Sequence, residues 1–155
     1  MAGLWFDEFR VGMVFQHPIT RTLTETDNVL FCSMTMNPQP LHLDVEFAAK
    51  SEFGKPIVNS LLTLGLMIGI SVYDTTLGTT VANLEMTEVI FPAPVFHGDT
   101  LRIRTKVEFM RECVSRPSAG IVKFRHRAFQ QEGLEVASCL RTAMMHRNRG
   151  AGASE

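Results

Sequence analysis

The residue best suited to chemistry in this sequence is His42, in the segment MNPQPLHL. The two prolines of that segment, Pro38 and Pro40, predict a loop without regular structure. A rigid loop can hold a side chain against a small molecule, and an imidazole takes up and releases protons near neutral pH. A lone loop histidine more often only bonds to the backbone, so both roles are open for His42 at this point.

The other four histidines are weaker candidates. His17 and His126 fall within strand patterns, His97 lies in the turn FHGD, and His146 is near the C-terminal end. We expect each of them to be structural or exposed to solvent. No two of the five histidines have the spacing of metal ligands, so the sequence predicts no metal site.

Asn59 and Ser60 begin a long apolar segment that is typical of a helix. The first backbone N–H groups of a helix lack acceptors within it, and the helix dipole favours negative charge there. The Ser60 N–H could therefore stabilise a developing oxyanion. The alternative is an ordinary asparagine cap on a core helix. Ser60 is not expected to act as a nucleophile, because no G-x-S-x-G sequence surrounds it.

Arg111 and Arg116 lie at a predicted turn between two strands, in the segment RECVSRPSAG. Arginines in such a turn can bind a phosphate or a carboxylate through charge-assisted hydrogen bonds. More often they are solvated surface charges.

The composition narrows the class of protein. The chain has 155 residues, 45% of them apolar, which predicts one domain, over residues 3–147, followed by a flexible tail at 148–155. With 15 basic and 16 acidic residues, it lacks the charge that nucleic-acid binding requires. Three widely separated cysteines, Cys32, Cys113 and Cys139, indicate free thiols in a reducing compartment.

Location is predicted from two segments. The N-terminal sequence MAGLWFDEFR lacks the basic and apolar regions of a secretory signal, so we expect a cytoplasmic protein. The stretch 56–73 carries no formal charge, yet it contains a proline, an asparagine, two serines and a threonine. We therefore expect a helix buried in a protein core and no membrane association.

Helix signals dominate the first half of the chain. Thr24 and Asp27 have the spacing of a capping box, and Asp44 is the expected cap of a helix that Gly54 ends. The helix from about Ser60 to Tyr73 is apolar on nearly every side and should be enclosed. Its glycines 65 and 69 would let a sheet approach closely.

Strand signals dominate the second half. A period of two places Leu101, Ile103, Thr105, Val107 and Phe109 on one face of a strand. Similar segments at 81–91, 121–129 and 136–147 bring the total to about four long antiparallel strands. One enclosed helix followed by this meander predicts an α+β fold in which a sheet wraps around the helix.

Three segments together resemble the MaoC-like family, which includes (R)-specific enoyl-CoA hydratases and related dehydratases of the hotdog fold. They are NPQPLHLDVEFA, FGKPIVNSLLTLGL and FPAPVFHGDTLRIRTKV, and the resemblance spans most of residues 4–145. It implies that His42 transfers protons and that the start of the long helix binds a thioester oxygen. It further implies an acyl-CoA substrate, no metal or redox cofactor, and a homodimer or higher homo-oligomer.

The chain departs from the family pattern in the loop that carries its histidine. The family's catalytic Asp falls on Asn37 and the following Asn on Gln39, and an Asn side chain cannot act as a general base. The glycine at the family's oxyanion site falls on Ser60, which keeps the backbone N–H, and a frequent serine of the helix falls on Ile68.

Two interpretations follow from these departures. In the first, His42 transfers the protons while Asn37 orients water, with help from Asp44 or Glu25. In the second, the chain does not catalyse alone and is a non-catalytic subunit of a heteromeric dehydratase. An acyl-CoA thioesterase of the same fold is a further alternative.

The segments 9–42 and 115–122 also resemble the branch of the family that hydrates mesaconyl-CoA or itaconyl-CoA. That likeness implies reversible hydration of a branched C5 dicarboxylic 2-enoyl-CoA, with Arg111 or Arg116 on the free carboxylate. The sequence thus predicts three catalytic residues, which are His42, Asn37 and Ser60. It predicts substrate contacts from Asn59, Gln39, Asp44, Arg111 and Arg116.

Overall fold

The computed structural model of the chain describes residues 3–148. The predicted tail, apart from Asn148, lies outside the described residues. The four α-helices are α1 (Glu25–Met34), α2 (Pro40–Leu43), α3 (Val45–Ala49) and α4 (Ser60–Thr75), and a short 3-10 helix spans Phe6–Glu8. The six strands are β1 (Val14–Gln16), β2 (Arg21–Thr22), β3 (Thr80–Ile90), β4 (Thr100–Glu112), β5 (Ala119–Phe129) and β6 (Glu135–His146).

The strands form one antiparallel sheet in the order β1-β4-β5-β6-β3, with the short β2 also paired to β4. Helix α4 lies against β4, β5 and β6. The predicted four long strands and the single long helix on one face of their sheet are therefore confirmed. Within residues 3–148, no helix combines the length and the apolar character needed to cross a bilayer.

The buried face of β4 follows the predicted alternation through Val107 and then departs from it. Leu101, Ile103, Thr105 and Val107 are buried, whereas Phe109 is 44% exposed. The register with β5 shifts between Val107 and Phe109, and the extra residue of such a bulge turns the side chains that follow it. The prediction that Phe109 shares the buried face is wrong.

The predicted helix caps are present, but one helix ends early. Thr24 and Asp27 form the reciprocal capping box of α1, and the Asp44 carboxylate accepts the Phe47 N–H at the start of α3. Helix α3 already ends at Ala49, so the prediction that Gly54 ends it is wrong. Gly54 instead occupies a later turn with a φ of 69°.

The segment around His42 contains a short helix, where a loop was predicted. Pro40 is the first residue of α2, and His42 lies on this helix. Proline is compatible with the first turn of a helix, because the N–H that it lacks has no partner within the helix there. A helical turn holds the His42 backbone more firmly than an irregular loop would.

Helix α4 is not enclosed within one chain. Four residues at four-residue spacing are exposed along it, which are Leu61, Gly65, Gly69 and Tyr73. No atom lies within 4 Å of a Cβ built on either glycine, so the expected close approach of the sheet does not occur. We call these four residues the open stripe of α4.

Candidate active site

His42 is half-buried, and its ring is held by a backbone carbonyl. The Nδ1 atom lies 2.9 Å from the Ile57 carbonyl oxygen. Because a carbonyl oxygen only accepts, Nδ1 carries the hydrogen, and in the neutral ring Nε2 keeps a free lone pair. The contact therefore selects the tautomer in which Nε2 can take a proton from a bound molecule.

The start of α4 leaves one N–H without an acceptor. The Asn59 side chain accepts the Leu61 N–H at 3.0 Å, and the Asn59 carbonyl accepts the N–H groups of Leu62 and Thr63. Among the described residues, no acceptor serves the Ser60 N–H. The predicted oxyanion donor is thus free, at the positive end of a 16-residue helix.

A largely apolar cavity of about 330 Å³ adjoins this helix start. Ser60 and Thr63 line one side of it, and Ile57, whose carbonyl holds His42, lines another. The remaining lining side chains are apolar and include Phe53, Phe91 and Val136. The cavity can take an acyl chain whose polar end faces the Ser60 N–H.

The buried side chain of Asn28, in α1, joins the segments of this site. Its Oδ1 accepts the Asn59 N–H at 2.8 Å. Its Nδ2 lies 3.1 Å from the Ile57 oxygen, 3.3 Å from the His42 carbonyl oxygen and 3.1 Å from His97 Nε2. The sequence analysis missed Asn28 and placed His97 among the structural or exposed histidines. The one signal in the sequence was an asparagine, a poor helix former, inside a predicted helix.

Asn37 and Gln39 lie just before α2 and are held by local contacts. The Asn37 Oδ1 accepts the Gln39 N–H at 3.1 Å, so this oxygen shapes the turn into α2. Gln39 is exposed, and its side chain makes no capping bond to α2. Because an amide oxygen has a second lone pair and the amide nitrogen has two hydrogens, the role of Asn37 in orienting water stays a prediction.

Among the described residues, the side chains of the remaining predicted residues make no hydrogen bond to His42 or Ser60. The carboxylate of Asp44 caps α3, and Glu25 is the exposed first residue of α1. Arg111 and Arg116 are exposed at the end of β4 that is farther from His97, roughly 35 Å along the strand from Thr100. One chain does not bring these arginines to the cavity.

A second buried polar cluster lies near the other end of α4. His17 joins Asp74 through Nδ1 and Thr105 through Nε2, and Thr105 also meets His126 Nδ1, each contact at 2.8 Å. Burial, with a smaller contribution from the nearby Arg141 charge, holds the pKa of His126 well below its ordinary value. His17 and His126 are therefore core residues, as predicted, although His17 follows β1 and is not part of it.

Other chemistry is limited within residues 3–148. All three cysteines are buried, and none forms a disulfide, in agreement with the predicted free thiols. Burial raises the pKa of the Cys139 thiol. No three side chains from His, Cys, Asp and Glu come together there as metal ligands would.

Comparison with known proteins shows what the chain is similar to. The model of the MaoC like domain family matches residues 8–126. Mesaconyl-CoA hydratase of Cereibacter sphaeroides is 32% identical over 146 residues, which are 94% of this chain and 42% of that protein. The chain thus spans less than half the length of this relative.

Two solved structures share the architecture. The R-hydratase of Pseudomonas aeruginosa superposes with a TM-score of 0.77 at 25% identity, over 94% of this chain and 87% of that one. A Mycobacterium tuberculosis protein with a double hotdog fold gives a TM-score of 0.87 at 25% identity, over 98% of this chain and 47% of that one. From its matched family model and its fold, the chain belongs to the MaoC-like dehydratase family and has the hotdog fold.

Proposed function

We propose that this protein catalyses the reversible addition of water to a 2-enoyl-CoA thioester. One observation carries the proposal: the His42 ring bonds to the Ile57 carbonyl, and Ile57 and Ser60 line the same apolar cavity. A proton acceptor and an oxyanion donor next to an acyl-sized cavity are the parts that this reaction requires.

The chemistry follows from these parts. His42 Nε2 takes a proton from water, whose oxygen bonds to the β-carbon of the thioester. The electrons of the double bond move toward the carbonyl oxygen, where the Ser60 N–H stabilises the enolate-like transition state. The imidazolium then returns its proton to the α-carbon. Because hydration involves no net electron transfer, no redox cofactor takes part, and no metal is needed to polarise the carbonyl.

The protein is further proposed to act as a homodimer. Strand β3 has 11 residues and pairs only with β6 among the described strands, so one of its edges is free. The open stripe of α4 adds apolar surface on the helix side of the sheet. Antiparallel pairing of two β3 edges would satisfy the free backbone groups and cover the stripe.

The acyl group is proposed to be a branched C5 dicarboxylate, as in the substrate named for the Cereibacter sphaeroides relative. No cationic side chain among the described residues lines the cavity. A two-fold axis between β3 edges turns the far end of the partner's sheet, with its Arg111 and Arg116, toward this end of the sheet. We propose these arginines of the partner subunit as the cationic partners of the substrate carboxylate.

Mass spectrometry of purified protein with crotonyl-, mesaconyl- and itaconyl-CoA tests the proposal. We expect a gain of one water, about 18 mass units, and a loss of roughly a hundredfold or more in His42→Asn. The asparagine amide keeps a donor for the Ile57 oxygen and removes the Nε2 base. His146→Ala, in a half-buried histidine at the end of β6, is the matched control and should stay active.

The other outcomes separate the alternatives. Release of free CoA would identify a thioesterase. Hydration of crotonyl-CoA in preference to mesaconyl-CoA would contradict the dicarboxylate and keep the hydratase. If none of the three thioesters reacts, the remaining alternative is a non-catalytic subunit, which the asparagine at position 37 also favours.

A further inference from the structure

We infer that Asn28 is the positioning residue of this site, which sets the His42 ring and the Ser60 N–H at a fixed separation. The inference rests on the proposed function for its effect on rate, and on geometry alone for its hydrogen bonds. Asn28 is fully buried in α1, and the amide of its side chain is surrounded by groups from three other segments.

The orientation of the Asn28 amide is fixed by one contact. The Asn59 N–H must meet an acceptor, and an amide nitrogen cannot accept, so the atom 2.8 Å away is Oδ1. The Nδ2 group therefore faces Ile57 O, His42 O and His97 Nε2. It has two hydrogens for these three acceptors. Since Nδ2 only donates, Nε2 of His97 accepts, and a neutral His97 ring carries its hydrogen on Nδ1.

The Ile57 carbonyl is the link between Asn28 and His42. It accepts the His42 Nδ1–H at 2.9 Å and faces Asn28 Nδ2 at 3.1 Å. The same amide accepts the N–H of Asn59, the residue directly before Ser60. One rigid side chain thus locates the proton acceptor on α2 and the oxyanion donor on α4. Misplacing catalytic groups by about 1 Å can cost about a hundredfold in rate.

The span of these contacts separates Asn28 from an ordinary capping residue. The Asn59 cap reaches Leu61, two residues away, whereas the partners of Asn28 are 14 to 69 residues distant. Among the described residues, the Asn28 side chain bonds to no backbone group of its own helix. Its one contact within that helix is with the Cys32 thiol, whose Sγ lies 4.0 Å from Oδ1. Its bonds therefore serve the relative placement of segments.

Asn28→Asp is the variant that removes the donors while keeping the shape. The carboxylate still accepts the Asn59 N–H, but it presents oxygen to the Ile57 and His42 carbonyls. We expect kcat for hydration to fall about a hundredfold, while KM changes by less than about threefold. The matched control is Thr75→Val, which removes a fully buried hydroxyl bonded to the Ser71 carbonyl at the far end of α4. It should lower the melting temperature and leave kcat unchanged.

A purely structural role would give Asn28→Asp and Thr75→Val the same kcat, and that result would overturn the inference. Long-range ¹⁵N–¹H correlations of the wild-type histidines provide a test that requires neither activity nor a folded variant. We expect Nδ1–H tautomers for both His42 and His97, and an Nε2–H tautomer at His97 would overturn the hydrogen-bond assignment. A wild-type protein that hydrates no thioester would refute the proposed function, and the tautomers would still decide the geometry.

Discussion

The two ends of helix α4 each adjoin a cluster of buried polar groups, but the clusters differ in how their hydrogen bonds close. Near the C-terminal end, Asp74, His17, Thr105 and His126 form a continuous chain of contacts at 2.8 Å. At the N-terminal end, the Ser60 N–H meets no acceptor among the described residues. In the first cluster, His126 Nε2 lacks a partner but is enclosed in the core, whereas the Ser60 N–H belongs to an exposed residue beside a cavity.

This difference between the two ends of α4 distinguishes polar residues that stabilise the fold from polar residues that can bind a ligand. A closed network stabilises the fold and fixes the position of the helix. The open donor belongs to Ser60, which is exposed, so water can serve its N–H in the unbound protein and a ligand that supplies an acceptor can replace that water. Substitutions at the open end should therefore change activity, and those at the closed end should change stability.

The largest expected effect comes from Ser60→Pro, which removes only the backbone N–H at the open end. Proline is favoured at the first position of a helix, and Asn59, with a ψ of 126°, already has the extended conformation that precedes proline. We expect kcat/KM to fall by about 100- to 1,000-fold with little change in melting temperature. Ser60→Ala, which keeps the N–H, should stay active. Retained activity in Ser60→Pro would remove the oxyanion role.

Breaking the closed end should have the opposite signature. His17→Leu removes a partner from the fully buried Thr105 hydroxyl and another from Asp74, whose side chain is 30% exposed. We expect the free energy of unfolding in urea to fall by about 2–3 kcal/mol. At a temperature where the variant is folded, kcat should match the wild type. A selective loss of kcat would show that this cluster belongs to the site.

The smallest expected effect is a pH dependence of stability that arises at the closed end. Because the pKa of His126 is lowered in the folded state, the unfolded chain binds a proton first as the pH falls below about 6.5. Stability is therefore full above that pH and declines below it, by at most about 1.4 kcal/mol per pH unit from this group.

His126→Asn tests this contribution, since an asparagine amide does not titrate and can either donate to or accept from the Thr105 hydroxyl. Urea unfolding between pH 5 and 7 should give a flatter profile for this variant than for the wild type, after the two are aligned at pH 7. Parallel profiles would assign the acid sensitivity to other groups.

Much of the fold was predictable because its signals are local. The Thr24–Asp27 capping box needs four residues, and the buried face of β4 from Leu101 to Val107 needs only alternation. His42, Asn59 and Ser60 were predicted from residue type, position near a helix start and family resemblance, and their roles stay predictions. These features depend on neighbours in the sequence, and the sequence displays them directly.

The features that escaped prediction depend on distant partners. Asn28 has no local mark of its role, because its hydrogen bonds join segments that only the fold brings together. The bulge that exposes Phe109 depends on the register between β4 and β5. The open stripe of α4 depends on how far the sheet extends around that helix. Pro40 was taken to exclude a helix, although it is compatible with the first turn.

The open stripe of α4 has a consequence for handling the protein. In the proposed homodimer, the apolar surface around Leu61 and Tyr73 is removed from water only when two chains meet, so folding and association are linked by mass action. The melting temperature should then rise with protein concentration, and dilution should inactivate the protein even where each chain is intact. Assays at concentrations below the dissociation constant of the proposed dimer would measure the separated chain, whose exposed apolar surface also makes it prone to aggregation.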